Sequence, residues 1–307
     1  MEKELYKNRS FSACIHAAYV LFATNLKIIL RRTWLPVLLM AVALTFNVLF
    51  NLPDKHIHDL GMSHPMVTAS IMGTAFIMNL LAELWVTAVI ASLVNQRPLK
   101  ANLMRVLVIM GIGLIITLAA AGIINFSHSF VFSFLVSSKL ATPSTAGAAG
   151  IAITLLLILL LLIFTLPFIF STTKFLLDHE VRPSAMFKAD YRRGFSRWGM
   201  LFGAMFFTVV IISILSFVLF VPFIILVTSQ TINQLGMLNG DPSGVPGYFF
   251  WLLIAITLLT MFIFSYEIIW AMLVNYYVYG AIETKEKLKE ENTSQEKESS
   301  NLTETAK

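Results

Sequence analysis

Apolar positions gather into six long runs, at 33–52, 66–94, 103–124, 151–177, 200–228 and 248–281. About 20 apolar residues in a helix cross a hydrocarbon core. A helix also satisfies its own backbone where water is absent. The pattern therefore predicts an all-α membrane protein, a bundle of six transmembrane helices. The run at 66–94 exceeds the need, so it is expected to tilt or project. Polar residues at 125–129 break the third run and leave 130–136 as a short interfacial piece. Residues 141–150 read as a small-residue linker, and Pro167 is placed to kink the fourth run.

A second pattern lies between the runs. Over 178–200, Phe187, Tyr191, Phe195 and Trp198 recur at helical spacing, and Lys188, Arg192, Arg193 and Arg197 form a basic face beside them. Such a helix suits a membrane interface, rings buried and cations toward anionic head groups. Phe11, Ile15, Tyr19, Phe22, Leu26 and Ile29 make a similar stripe that ends at Arg31, Arg32 and Trp34. A shorter basic connector runs from Arg97 and Pro98 to Arg105. Basic connector, outgoing span, loop and longer returning span thus occur three times, which predicts a three-fold hairpin repeat without inverted symmetry. Helices that precede spans also look alike for interfacial reasons alone.

Of the 22 Lys and Arg, all but Lys55 and Lys139 fall on one side of this topology. The positive-inside rule then puts both termini in the cytoplasm, with residues 1–32 as tail and interfacial helix, 33–282 as the membrane domain and 283–307 as a charged tail. The tail is polar enough to be expected disordered after a short helical start. No cleaved signal peptide is expected, since Asn25 and Lys27 interrupt the first apolar stretch.

Composition sharpens this reading. Hydrophobic residues are 57%, charged residues 13% and mean hydropathy is +0.79, against about 25% charged in a soluble domain. The net charge of +5 is concentrated in the connectors, which points to anionic lipid and not to nucleic acid. The single cysteine, Cys14, excludes an intrachain disulfide and a cysteine metal cluster.

Candidate chemistry is sparse. Glu83 and Glu267 are the only acids inside the apolar runs, where a carboxylate is costly unless paired or hydrated. Glu83 lies 14 residues before Arg97, and Glu267 lies 16 before Glu283. Their depths should match at roughly 20–25 Å of helix, with Asn79 one turn before Glu83. They read either as a proton- or cation-binding site or as hydrogen-bonded structural residues. His56, His58 and His64, with Asp54 and Asp59, could supply zinc ligands in the first external loop, although a solvated polar loop explains them as well. Lys174 and Asp178 are expected to pair at i,i+4. Gly199 and Gly203, and Ala69 and Gly73, have the spacing for close helix packing inside one chain. No phosphate loop, nucleophile elbow or HExxH motif is present, and no cofactor is expected.

Three hairpins in about 300 residues suit mitochondrial carriers, but their Pro-x-acid-x-x-base signature is missing: Pro36, Pro183 and Pro222 lead to Leu38, Ala185 and Ile224. The basic aromatic pre-span helices, six spans and internal termini over residues 10–282 instead resemble a group of six-span bacterial membrane proteins. That group includes the membrane domain attached to some glycerophosphodiester phosphodiesterases. The resemblance implies a bacterial inner-membrane module without catalysis, since no phosphodiesterase barrel or its acid and histidine metal ligands is present. The expected role is non-enzymatic, through membrane lipids with anionic head groups, a protein partner or a homo-oligomer. The alternatives are a small-solute or ion transporter using Glu83 and Glu267, and a membrane enzyme acting on lipid.

Overall fold

The computed structural model describes residues 5–52, 64–240 and 244–305, and these are helical with short connections. In chain order the helices are α1 (Phe11–Thr24), α2 (Leu26–Phe50), α3 (Pro65–Asn95), α4 (Leu99–Ser137) and α5 (Pro143–Leu177). A 3-10 turn (Pro183–Phe187) and α6 (Ala189–Ser196) follow, then α7 (Trp198–Leu238) and α8 (Phe249–Thr305). Six of them, α2, α3, α4, α5, α7 and α8, are long and apolar enough to cross a membrane.

Several run well past the needed length. α4 has 39 residues and α7 has 41, where about 20 suffice. α4 continues through 125–129, where the sequence predicts a break. Asn125 explains the continuity locally: its side-chain amide donates to the Ala121 carbonyl one turn back at 2.8 Å. The connector after α3 is also shorter than predicted. Gln96 caps α3 in a left-handed conformation (φ 56°), α4 begins at Leu99, and Arg105 therefore lies inside α4. The charged tail likewise forms the last part of α8, which reaches Thr305.

The described residues divide into two compact units. The first comprises Leu5 and the described residues of Ser12–Leu99 and Ala204–Tyr277. In it α2 packs along α3. Ala82, Val86, Val89 and Ile90 bury one face of α3, and Val37 and Ala41 are buried on α2. Small side chains let such helices approach closely. The Thr33 hydroxyl lies 3.4 Å from that of Tyr266, and Phe220 meets Phe264 edge-on at 5.6 Å between ring centres. The thiol of Cys14, which is buried, points at the Tyr277 carbonyl at 3.6 Å.

In α1 the buried residues are Cys14 and Ala18, whereas Tyr19 is 60% exposed. The helix thus buries its small residues most deeply, with Phe11, Ile15 and Phe22 half-buried and Tyr19 left outside.

The second unit comprises Tyr6–Phe11, Lys100–Gly203 and the described part of Val278–Lys307. Its core gathers Val106 of α4, Phe170 and Phe175 of α5, Met186 of the 3-10 turn and Ile282 of α8, all buried. The Phe11 ring lies against Gly203, where an added Cβ would stand 3.4 Å away. Gly199 and Gly73, by contrast, have open space at that position. The expected close packing of these two glycines inside one chain is therefore not seen; their helices turn those faces outward.

Candidate lipid-facing site

The segment after α5 is a short collar, and α5 itself dictates where it docks. Pro167 lies inside α5 and has no N–H to donate, so the Ile163 carbonyl four residues back loses its helical partner. The indole N–H of Trp198 donates to that carbonyl at 3.2 Å. The Tyr191 hydroxyl donates to the neighbouring Phe164 carbonyl at 3.1 Å. Gly194 lies against the Pro167 backbone, where a Cβ would stand 2.8 Å from the Pro167 carbonyl oxygen. Only glycine permits that approach. Phe187 completes the seam by packing on Phe168, ring centres 5.7 Å apart.

The expected single amphipathic helix is accordingly two pieces, the 3-10 turn and the eight-residue α6. They run back along α5, because proline and glycine set the path.

Charge fastens the same seam. Lys174 of α5 lies 3.2 Å from Asp190 of α6 and 2.9 Å from Glu283 of α8, with the three side chains 8%, 6% and 12% exposed. This corrects the expected Lys174–Asp178 pair. Asp178 ends α5 in an extended conformation, and its carboxylate accepts from the Glu180 N–H at 3.0 Å. Arg105 closes the end of α5. Its guanidinium donates to the carbonyls of Phe175, Asp178 and His179, the last two at 2.7 Å, and stacks 4.6 Å above the Phe175 ring. A cation there satisfies the last carbonyls and opposes the negative end of the helix dipole. Sequence reasoning missed Asp190, Glu283 and Arg105 as anchors; they lie far from their partners along the chain.

These anchors leave a defined outer face. Lys188, Arg192 and Arg193 are exposed and have no side-chain partner among the described residues. Phe187 and Phe195 are 54% and 49% exposed beside them. Arg197, the fourth predicted cation, is half-exposed and paired. Its Nε donates to Glu286 at 2.6 Å, so it is a brace, and three cations make the outer face.

The intramembrane acids occupy different surroundings. Glu267 is half-buried and accepts from the Ser216 hydroxyl of α7 at 2.6 Å. Glu83 is exposed on α3 and has no hydrogen bond among the described residues. Asn79 sits one turn away, its side-chain oxygen buried without a partner. No hydrogen bond joins the two acids. His64 is exposed at the start of α3. His56, His58, Asp54 and Asp59 lie outside the described residues. Among the described residues no group of three metal-ligating side chains converges.

Compared with protein-family models, curated proteins and solved structures, the chain matches none.

Proposed function

We propose that this chain is a non-enzymatic integral membrane protein that works through its lipid environment, with the collar engaging anionic head groups. Positive-inside logic puts the collar and both termini on the cytoplasmic side, which in a bacterial inner membrane is a surface rich in anionic lipid. One observation carries the reading. Between Lys188 and Arg197, Asp190 and Arg197 are committed to ion pairs, while Lys188, Arg192 and Arg193 are exposed beside two exposed rings. An isolated basic face is common on solvated helices. A basic face fastened to a spanning helix by the buried Lys174–Asp190 pair and by the half-exposed Arg197–Glu286 pair, with aromatic anchors, suits an interface. At about 1 kcal/mol per cation near an anionic surface, three contribute about 3 kcal/mol.

The test is melting temperature in nanodiscs of increasing phosphatidylglycerol content. The protein should be stabilised as the acidic fraction rises, and Lys188→Gln/Arg192→Gln/Arg193→Gln should respond weakly. Equal responses would overturn the reading.

The second reading, transport through Glu83, draws on the unpartnered Glu83 carboxylate and Asn79 oxygen on one face of α3. It predicts that Glu83→Gln folds normally but abolishes a proton-dependent flux in proteoliposomes. Unchanged flux would dismiss it.

A further inference from the structure

A cavity of about 510 Å³ lies between α4 and α5 and is closed on one side by the collar. Gly113 and Thr117 of α4, Leu161 and Phe168 of α5, and Phe187 and Tyr191 of the collar are among its walls. Its size falls within the range of ligand pockets. It offers little to a polar solute. The Tyr191 hydroxyl is committed to the Phe164 carbonyl, and the Thr165 hydroxyl, also in the wall, donates to Leu161 at 2.7 Å. The Thr117 hydroxyl is the one side-chain polar group of these walls without a partner among the described residues, and a cavity this apolar takes hydrocarbon in preference to water. Between two membrane-crossing helices the abundant hydrocarbon is a lipid tail.

The collar residues next to two of its walls then point to the head group. Phe187 and Tyr191 are cavity walls, and the next residues, Lys188 and Arg192, are exposed cations without partners among the described residues. Asp190, the acid between them, is held by Lys174. We infer that the cavity seats one acyl chain of an anionic glycerophospholipid, whose phosphate lies on Lys188 and Arg192. This rests on the collar facing acidic lipid and adds a single, stoichiometric binding site to it.

Gly113 makes the two claims separable. A Cβ there meets nothing within 4 Å, so Gly113→Phe places a ring in the cavity and leaves every collar charge intact. Native mass spectrometry of detergent-solubilised protein, titrated with dioleoyl phosphatidylglycerol or phosphatidylcholine, reads lipids bound per chain. The full chain should hold one phosphatidylglycerol under conditions that strip phosphatidylcholine. Gly113→Phe, or Thr117→Phe where that variant melts early, should lower occupancy at least tenfold. Lys188→Gln/Arg192→Gln should still hold a lipid but lose the preference for the acidic one. Glycerophosphoglycerol, the same head group without chains, should not displace the bound lipid.

Undiminished occupancy in the filled variants, or displacement by the chainless head group from the unmodified protein, overturns the cavity site. If the Gln variant has meanwhile lost its acidic preference, the collar reading survives alone. If the Gln variant keeps that preference, the collar reading falls too.

Discussion

Pro167 withdraws one backbone donor from α5, and Trp198 supplies another to the carbonyl left behind. The two residues should therefore be energetically coupled. Trp198→Phe is expected to cost about 1 kcal/mol beyond its packing change in the native background. It should cost less when Pro167→Ala has restored the helical N–H. A double-mutant cycle on detergent melting curves measures the difference, and additivity would contradict the assignment. The ion triad makes a second claim at this scale. Lys174→Met leaves Asp190 and Glu283 buried without a counter-charge, a loss of about 3–5 kcal/mol. Glu283→Gln keeps the Lys174–Asp190 pair and should cost much less, so a comparable loss would show that the triad is misassigned. Glu267→Leu strands the Ser216 hydroxyl and should cost about 1–3 kcal/mol, whereas Glu83→Leu removes no hydrogen bond and should be tolerated. Equal losses at the two sites in a thermal-shift assay would restore a shared interior site. Sequence depth alone made these acids look equivalent. Depth along a helix says nothing about which way the side chain turns, and the two turn differently.

At the scale of elements, the long apolar helices were legible because hydrocarbon length imposes a minimum run of apolar residues. Their true lengths were not. α4 passes through Asn125 without a break since an amide that bonds back to its own helix needs no outside partner. The basic aromatic segment was legible in composition, but its geometry follows from Pro183, Gly194 and the platform around Pro167. Arg197 looked equivalent to Arg192 and Arg193, and its partner, Glu286, stands 89 positions away in what reads as a solvated tail. That pairing has a consequence for truncation. Removing Glu290–Lys307 takes away residues that, as far as Gln295, are exposed, and expression and melting temperature should hold. Ending the chain at Ile282 also removes Glu283 and Glu286 and should release the collar, visible as faster proteolysis between Asp178 and Trp198. Equal proteolysis of the two truncations would mean that these pairs do not hold the collar.

For the whole molecule, charge asymmetry and helix length act together. On the topology expected from the sequence, cations concentrated on one side set which way the spans insert, and helices longer than the hydrocarbon core leave turns outside it on which a collar can be built. The collar is then held by internal pairs that consume some of its charge, and the remainder faces outward. On the proposed reading this division is central: Lys188, Arg192 and Arg193 would act on lipid, while Arg197, paired with Glu286, acts on the fold. The direct measurement is the ratio of acidic to zwitterionic lipid that co-purifies with three proteins expressed alike: the unmodified chain, Lys188→Gln/Arg192→Gln/Arg193→Gln, and Arg197→Gln. The account predicts a several-fold lower ratio for the triple variant at near-native melting temperature, and for Arg197→Gln a lower melting temperature at an unchanged ratio. A triple variant that keeps its acidic lipid, or an Arg197→Gln variant that loses it while remaining as stable as the unmodified chain, would contradict it.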